Sequence, residues 1–554
     1  MIVIKGQGVC GGIAFGKLEI IDNTPHRIHR THIDDTELEL ERFEKARKKA
    51  EDDLKKLYEK ALGEVGEENA MIFEIHRMML EDADYLKSIR THITDREINA
   101  ESAVAMTSDS FSDMFSSMED SYMQARAADV RDISGRLISI LSKTQSGTIR
   151  SNEPVIVGAQ DLAPSQTVQL DKNKILAFVI EKGSTNSHTA ILARTMNIPA
   201  IIGAAGICDK KYENSEIIVD GFSGEIFIEP DMQTIISMQE KKQNHEKKKE
   251  LLKNLRGVSP ITKDGKLILL YANIGSLDDM ASVYSNDAMG VGLFRSEFIY
   301  MESDSYPSED TQFAIYKSAA EKALGKQVII RTLDIGADKN VEYFDMPKEE
   351  NPAMGIRAIR ICLTRPGLFK TQLRALYRAS AFGRISIMFP MITSHEEIIQ
   401  IKNICKEVRE ELKKEKLPFN ENTPIGIMIE TPAAALISDI LAKEVDFFSI
   451  GTNDLTQYTM AADRQNPLTE PFCDPKHLSV LRLIKLTADN AHKAGIWCGI
   501  CGELASDTSL TELLLSLGVD ELSVSPGLIL PIKQKILETD ISVAKDRHLK
   551  NMSI

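Results

Sequence analysis

The sequence lacks any apolar run that approaches the roughly 20 residues a membrane-spanning helix needs. Met1 to Lys5 read as a strand rather than as a secretion signal, so we expect a cytoplasmic protein that makes no membrane contact. Cysteine is scarce, and seven residues, an odd number among 554, fit reduced thiols better than a disulfide framework. These absences argue against membrane transporters and disulfide-rich secreted domains.

Basic residues are in the minority, with 67 Lys and Arg against 82 Asp and Glu, which gives a formal net charge of -15. An acidic chain repels the phosphate backbone of nucleic acids and anionic lipid surfaces, so neither is expected as a partner. The hydrophobic content of 43% and charged content of 27% are ordinary for folded proteins. Because 554 residues exceed what one core usually holds, we expect at least two domains.

The first half of the chain changes pattern twice. Residues 1–22 alternate as two short strands would, and strand patterns return between residues 154 and 230. Between them, apolar residues recur at helical spacing from Thr36, where Thr36 and Glu39 form a possible capping box. This pattern predicts an all-helical subdomain of about four helices inserted into an α/β domain.

The second half follows a charged stretch at residues 231–256, which predicts a helical linker. Beyond Pro260, strand-like segments alternate with amphipathic helical ones. The strand-like segments are residues 267–271, 290–294, 327–332, 384–389, 426–429, 446–450, 496–500 and 521–524. Eight strands separated by helices predict a C-terminal (β/α)8 TIM barrel, so the whole chain is expected to be an α/β multidomain protein.

Two motifs resemble nucleotide-binding or metal-binding motifs, but their surroundings in the sequence do not fit either function. The glycines from Gly6 to Gly11 match a dinucleotide fingerprint, yet the next residues alternate like a strand where a helix is required. Cys498 and Cys501 are spaced like a metal or redox pair, but on an extended strand they point to opposite faces. We therefore expect neither motif to bind a nucleotide or a shared metal.

The loops after the predicted barrel strands carry many polar groups, and such loops hold the active sites of these barrels. The residues concerned are Arg295, Glu297, Arg331, Asp334, Lys339, Glu430, Asn453, Asp454, Arg464, Cys501 and Glu503. Glu430 and Asp454 offer the hard oxygen ligands that Mg²⁺ prefers, and the arginines are suited to phosphate and carboxylate. The pattern predicts a small polyanionic ligand bridged by a metal. Structural ion pairs are the alternative for any single residue.

His188 follows a loop rich in glycine and hydroxyl residues, at the point where the apolar pattern turns helical. A neutral imidazole is nucleophilic near pH 7, and backbone amides at a helix N-terminus stabilise an added phosphate. A helix-capping or core-edge histidine remains the alternative when His188 is considered alone.

Taken together, these segments resemble Enzyme I of the bacterial sugar phosphotransferase system, a family of phosphoenolpyruvate-protein phosphotransferases, over the whole chain. The matching stretches are residues 187–191, 292–298, 331–339, 351–360, 388–392, 426–434, 451–458 and 499–505. So many stretches in the family's order make the resemblance specific.

The resemblance implies a role for each candidate residue. His188 would accept the phosphoryl group of phosphoenolpyruvate, and Cys501 would be the general acid that protonates the enolate carbon to give pyruvate. Glu430 and Asp454 would bind Mg²⁺. The residues that would bind phosphoenolpyruvate are Arg295, Arg331, Asn453, Asp454 and Arg464.

The resemblance also implies domain roles and partners. The phosphocarrier protein HPr would dock on the inserted helices, and the barrel would form a homodimer. The implied domains are a phosphohistidine α/β domain (1–22 and 145–230), a helical HPr-binding subdomain (23–144), a helical linker (231–257) and a phosphoenolpyruvate-binding barrel (258–554). The acidic residues that would face HPr include Glu67, Glu68, Glu74 and Glu81, although a solvated helix face explains them equally well.

Three alternatives stay open at this point. Pyruvate phosphate dikinase and phosphoenolpyruvate synthase resemble the chain in their histidine domain and barrel, but they need an ATP-binding domain for which the sequence leaves no room ahead of residue 1. A non-catalytic signalling scaffold with the same fold is the second alternative, and the presence of His188, Glu430, Asp454 and Cys501 argues against it. A nitrogen-type paralogue is the third.

Overall fold

The structure of the protein is a computed structural model, and it forms two compact units, Met1–Lys247 and Lys248–Ile554. It describes residues 1–21, 28–65, 67–117, 121–142, 151, 153–162, 174–182, 190, 193, 198–336, 341–346, 349–464, 466 and 468–552.

The first unit contains a mixed sheet. Its strands are β1 (Ile2–Lys5), β2 (Gln7–Cys10), β3 (Ile13–Ile21), β4 (Val155–Ala159), β5 (Ile175–Ile180), β6 (Ala200–Ile202), β7 (Glu216–Asp220) and β8 (Glu225–Ile228). They lie in the order β1-β8-β7-β3-β4-β5-β6-β2, with β3 to β6 parallel and the other pairs antiparallel. The prediction of two strands in residues 1–22 is wrong, because Gly6 separates β1 from β2. A Cβ at Gly6 would lie 2.5 Å from the Ile202 carbonyl oxygen.

Five helices among the described residues connect β3 to β4, which confirms the predicted insertion. They are α1 (Thr36–Val65), α2 (Glu67–Met79), α3 (Ala83–Arg96), α4 (Ala100–Ser116) and α5 (Ser121–Leu141). The expected number was about four, and α3 is the helix that the prediction missed. Asp82 caps it by accepting from the Asp84 and Tyr85 amides, and its buried face includes Ile89 and Ile93.

The predicted capping box at Thr36 and Glu39 is also wrong. Asp35 accepts from the Leu38 amide at 3.0 Å and so caps the helix. Glu39 instead accepts from the Ala100 amide at 2.6 Å and from Arg42 at 2.7 Å. Its carboxylate therefore connects two helices rather than closing the first turn of α1.

The polar stretch at residues 231–256 forms α6 (Met232–Lys253), as its sequence predicts, and the boundary between the two units falls within this helix. The second unit is a closed barrel of parallel strands. They are β9 (Leu269–Ile274), β10 (Gly290–Arg295), β11 (Gln327–Arg331), β12 (Ile385–Phe389), β13 (Ile425–Ile429), β14 (Phe447–Ile450), β15 (Trp497–Ile500) and β16 (Glu521–Val524). Each predicted segment corresponds to one strand, and the prediction for β9 begins two residues early.

Helices follow the barrel strands and cover their outer faces. They are α7 (Met280–Ser285), α8 (Glu297–Met301), α9 (Glu309–Lys322), α10 (Ile359–Thr364), α11 (Pro366–Ala379), α12 (His395–Lys414), α13 (Pro432–Leu436), α14 (Ser438–Leu441), α15 (Thr452–Met460), α16 (Leu478–Ala494), α17 (Thr511–Ser516), α18 (Ile529–Glu538) and α19 (Ile541–Met552). Within the described ranges, no helix is long and apolar enough to cross a membrane.

Large side chains fill the lower interior of the barrel. Phe447 stacks on Trp497 with ring centroids 4.7 Å apart, and Met388 and Met428 pack in the same cluster. Gly426 on β13 makes room for this stack, since a Cβ there would lie 2.4 Å from the Phe447 ring. This part of the interior is therefore a packed core rather than a pore.

The structure also settles the two doubtful motifs. Residues 7–10 and 13–21 are strands, so the glycine motif has no helix to bind a pyrophosphate. Cys498 packs in the core outside the barrel strands, whereas Cys501 lies in the interior cluster. The two thiols lie on opposite sides of the barrel wall, as expected.

We expect Gly426→Ala to lower the free energy of unfolding of the barrel by about 1–3 kcal/mol, because the added methyl group overpacks the interior. Urea unfolding followed by the fluorescence of Trp497, the single tryptophan, measures this transition. Gly367→Ala is the matched control. Gly367 lies in α11 with nothing within 4 Å of an added Cβ, so this change should be neutral or stabilise by about 0.5–1 kcal/mol. Equal unfolding midpoints for the two variants would contradict the packing argument.

Candidate active site at the barrel mouth

A cavity of about 750 Å³ opens at the carboxyl ends of the barrel strands. The predicted site residues of the barrel that line it are Arg295, Arg331, Glu430, Asn453, Asp454, Arg464 and Cys501. The structure therefore brings all of these side chains together in one place. His188 and Lys339 lie outside the described residues.

Buried ion pairs organise the floor of the cavity. Arg331 at the end of β11 contacts Glu297 through one terminal nitrogen, and its other terminal nitrogen lies 2.9 Å from Asp334. All three side chains are buried, so their charges depend on one another for compensation. The neighbouring acids raise the pKa of Arg331 although burial opposes this, and the guanidinium stays charged.

Arg357 extends this network, and the sequence analysis did not select it. Its guanidinium lies 3.1 Å from Asp334 and 3.7 Å from Asp454, and it donates to the Tyr458 hydroxyl at 3.3 Å. Arg357 belongs to the motif at residues 351–360, so the resemblance contained the signal, but its loop has no strand or helix periodicity.

Close backbone packing holds Arg357 in place. A Cβ at Gly336, where φ is +120°, would lie 2.4 Å from the Cβ of Arg357, so only glycine fits there. The next residue, Ala358, has φ 51°, in a region that non-glycine residues rarely adopt. Such strained positions concentrate at functional sites, and Met391 (φ 59°) beside Glu430 is another.

The two predicted metal ligands lie on neighbouring elements. Glu430 follows β13 and accepts from the Met391 amide at 2.6 Å, and Asp454 lies in the first turn of α15. Burial raises the pKa of Glu430, and the negative charges of Asp454 and Asp334 raise it further. Burial also raises the pKa of Asp454, which Arg357 partly offsets. Glu430 therefore lies close to the negative charges of two other carboxylates, and a cation would relieve this repulsion.

The Cys501 thiol is buried beneath these carboxylates. Burial raises its pKa to about 12, the hydroxyl of Ser449 opposes this, and the charges of Glu521 and Glu430 add to it. The thiol is therefore protonated at neutral pH.

Asn453 holds the loop that follows β15, because its side-chain oxygen accepts from the Glu503 amide at 3.0 Å.

The remaining substrate candidates differ in exposure. Arg295 at the end of β10 is exposed, and Arg464, half-buried, donates its amide to Gln457 at 3.3 Å. Both residues line the wall of the cavity and are not part of the buried ion-pair network. They offer charge to a ligand that enters from solvent.

The proposed acidic face on the helical insertion is partly neutralised. Glu74 and Glu81 both pair with Arg77, at 2.6 and 2.8 Å. The side chains of Glu67 and Glu68 lie outside the described part of the chain. The docking of a basic carrier on this face stays a prediction.

Three protein-family models match consecutive parts of the chain. They describe the N-terminal part of PEP-utilising enzymes (residues 5–126), their mobile domain (151–224) and their PEP-binding domain (249–541). The last match contains every described side chain that lines the cavity.

Similar full-length proteins are known from several bacteria. The chain is 41% identical over 534 residues to the phosphoenolpyruvate-protein phosphotransferase of Bacillus subtilis (strain 168), covering 96% of this chain and 94% of that protein. It is 40% identical over 544 residues to the protein of that name from Staphylococcus carnosus (strain TM300), covering 98% and 95%. The match to the Listeria monocytogenes protein of that name is 41% over 540 residues, covering 97% and 94%.

We expect Arg331→Met to lower the free energy of unfolding of the barrel by about 3–5 kcal/mol, because it removes the buried cation that pairs with both Glu297 and Asp334. Arg295→Met removes an equally charged but exposed side chain and should change it by no more than about 0.5 kcal/mol. Urea titrations monitored at Trp497 give both values. A cost for Arg331→Met as small as that for Arg295→Met would mean that the buried network does not need its arginine.

Proposed function

The chain belongs to the phosphoenolpyruvate-protein phosphotransferase family, and on that premise we propose that it transfers the phosphoryl group of phosphoenolpyruvate to its own His188 and then to a histidine of the phosphocarrier protein HPr. One observation carries this proposal. Arginines, the carboxylates of Glu430 and Asp454 and a buried thiol line one cavity, inside the region that matches the PEP-binding domain.

The substrate carries a carboxylate and a phosphate on three carbons. Arg295, Arg331 and Arg464 offer permanently charged planar groups that suit both anions, and Asn453 adds an amide. Arg331 is already engaged with Glu297 and Asp334, so it binds the anion with its geometry fixed in advance.

Glu430 and Asp454 are the proposed Mg²⁺ ligands. Mg²⁺ usually takes one or two carboxylates and completes its shell with water and substrate phosphate. Glu430 and Asp454 fit this preference, because they supply two neighbouring carboxylates. Among the described residues there is no group of three or more side chains that could bind a metal. Bound Mg²⁺ would neutralise charge on the phosphoryl and carboxylate oxygens.

Cys501 is the proposed general acid. When the phosphoryl group leaves for His188, the bond between phosphorus and the enol oxygen breaks and its electron pair stays on that oxygen. As the carbonyl forms, C3 takes the proton from the Cys501 Sγ and becomes the methyl group of pyruvate. A thiol with a pKa of about 12 is protonated and ready for this step throughout the physiological range.

The acceptor and the donor site belong to different units. His188 falls within the match to the mobile domain, whereas the cavity falls within the match to the PEP-binding domain. We assign residues 1–22 and 145–230 to the phosphohistidine domain, 23–144 to HPr binding, 231–257 to the linker and 258–554 to the barrel. The motion of a mobile domain would carry the phosphoryl group to the carrier.

Assembly and location complete the proposal. A homodimer through the barrel follows from the family resemblance, and Leu468 and Phe472 are large apolar side chains exposed on that unit. The cytoplasm is the proposed location, where a phosphocarrier protein and phosphoenolpyruvate meet.

We expect His188→Ala to abolish phosphoprotein formation from ³²P-labelled phosphoenolpyruvate while substrate binding stays within about twofold, because donor and acceptor sites are separate. The label on the wild type should be acid-labile and base-stable. His32→Ala, which removes an exposed histidine of the same unit, is the control and should be labelled normally. Labelling of His188→Ala to wild-type stoichiometry would assign the acceptor to another residue.

We expect Glu430→Gln to raise the Mg²⁺ concentration for half-maximal labelling by about 10- to 100-fold, since even indirect perturbation of a metal ligand costs this much. Mn²⁺ binding followed by electron paramagnetic resonance should weaken in parallel. Glu503→Gln is the control, because Glu503 lines the same cavity and the change keeps the backbone amide through which it donates to Asn453. An unchanged metal requirement in Glu430→Gln would remove this residue from the metal site.

A further inference from the structure

A buried glutamine contacts the two loops that carry the floor of the cavity, and the chemistry proposed above does not use it. Gln372 lies on α11, is 1% exposed and is not among the residues that line the cavity. Its side-chain oxygen accepts from the Leu333 amide at 3.0 Å. Its side-chain nitrogen donates to the Ser296 hydroxyl at 3.0 Å and to the Tyr316 hydroxyl at 3.1 Å. One side chain of a helix outside the barrel thus contacts the segments that follow β10 and β11.

These two loops also hold the buried ion pairs. Ser296, after β10, directly precedes Glu297. Leu333, after β11, directly precedes Asp334. Arg331 pairs with both of these acids. The two loops are therefore joined twice, by the charges of the network and by the neutral hydrogen bonds of the glutamine.

The partners of Gln372 fix the orientation of its amide group. The backbone nitrogen of Leu333 can only donate, so it requires the side-chain oxygen. The two N–H groups then face the hydroxyl groups of Ser296 and Tyr316, which can both accept. The Tyr316 hydroxyl in turn donates to Gln312 Oε1 at 3.3 Å. The oxygen and both N–H groups of Gln372 thus have partners, and a buried amide with every group bonded holds its neighbours in one arrangement.

Gln312 on α9 is the matching residue at the far end of this network. It is 0% exposed and also has three hydrogen bonds, because it accepts from Tyr316, accepts from the Tyr300 hydroxyl at 3.1 Å and donates to the Pro307 carbonyl oxygen at 3.0 Å. None of these three partners directly adjoins in sequence a residue that lines the cavity. Gln312 therefore shares the burial and the bonding of Gln372 without its contacts to the two loops.

We propose that Gln372 is a positioning residue that holds the loops after β10 and β11 in register, so that Arg331 faces the substrate anion in the required orientation. The inference rests on the proposed function, in which Arg331 binds phosphoenolpyruvate. A neutral amide can hold these loops without adding charge beside Glu297 and Asp334. Charged groups that are oriented in advance stabilise a transition state because they need not rearrange during the reaction.

Loss of this glutamine should affect the rate of transfer more than the binding of the substrate. Arg464 belongs to another loop, and the exposed side chain of Arg295 can adjust its position, so both remain available to attract the anion. Arg331 instead depends on the two loops, because its ion-pair partners lie on them. A misplacement of about 1 Å, caused by a mutation remote from the chemistry, can slow a reaction by about 100-fold.

Gln372→Met tests the proposal, because it nearly keeps the volume of the side chain and removes its hydrogen bonds. Rapid-quench measurement of pyruvate in the first turnover, at a series of phosphoenolpyruvate concentrations, gives the maximal rate and the half-saturating concentration. We expect the maximal rate to fall by about 10- to 100-fold, whereas the half-saturating concentration should change by no more than about threefold.

Gln312→Met is the matched control. It also removes three buried hydrogen bonds, so the two variants should lower the urea midpoint at Trp497 to a similar extent. The maximal rate of Gln312→Met should nevertheless stay within about twofold of the wild type. A merely structural role for Gln372 would give two variants with similar stability and similar maximal rates.

Three results would overturn the positioning role. They are a maximal rate within about twofold of the wild type in folded Gln372→Met, an equal loss of rate in Gln312→Met, and a loss confined to substrate affinity. Wild-type protein that forms no pyruvate from phosphoenolpyruvate would instead overturn the proposed function, and this inference with it, so the two failures are distinguishable.

A second variant applies if circular dichroism shows that Gln372→Met is unfolded. Ser296→Ala removes only the hydrogen bond between the glutamine and the loop after β10. Its maximal rate should fall by about fivefold, the scale of one neutral hydrogen bond, with the half-saturating concentration unchanged. A maximal rate equal to that of the wild type would overturn the proposal.

Discussion

The mouth of the barrel depends on the mutual compensation of buried charges. Arg331 and Arg357 are surrounded by Glu297, Asp334 and Asp454, and both guanidinium groups are almost inaccessible to water. Charges buried in this way are costly alone and tolerable only together. The network therefore fixes the geometry of the cavity before any substrate arrives.

The same network leaves one carboxylate without a matching cation. Asp454 lies 3.7 Å from Arg357, whereas Glu430 accepts from the Met391 amide and forms no ion pair with any described residue. Burial and the charges of Asp454 and Asp334 raise the pKa of Glu430, and a divalent cation bound here would offset this negative charge. Binding a polyanionic substrate near two carboxylates would be repulsive without such a cation, so metal and substrate should bind in a coupled way.

Much of the fold could be predicted because parallel barrel strands, buried on both faces, read as short apolar runs. The positions of the strands then predicted the cavity residues, because active-site residues of such barrels lie in the loops that follow the strands. The prediction missed α3, although Ile89 and Ile93 have helical spacing, and it missed Arg357, which lies in an aperiodic loop beside Gly336 and the strained Ala358. The strand predicted at residues 521–524 includes Glu521, but its burial depends on space left by glycines of two other strands, which a local strand pattern does not reveal.

The state of Cys501 shows why the barrel interior suits proton donation. A cysteine that acts as a nucleophile or redox group needs a lowered pKa, so that the thiolate is present at neutral pH. Here burial and the nearby carboxyl groups do the opposite and raise the pKa of Cys501 to about 12. Such a thiol gives up its proton only to a strong base, and in the proposed reaction the enolate carbon left by phosphoryl transfer would be one. Under that proposal the resting enzyme would hold its acid protonated in the presence of water and of the carboxylates above it, and would lose that proton only when the reaction generates the enolate.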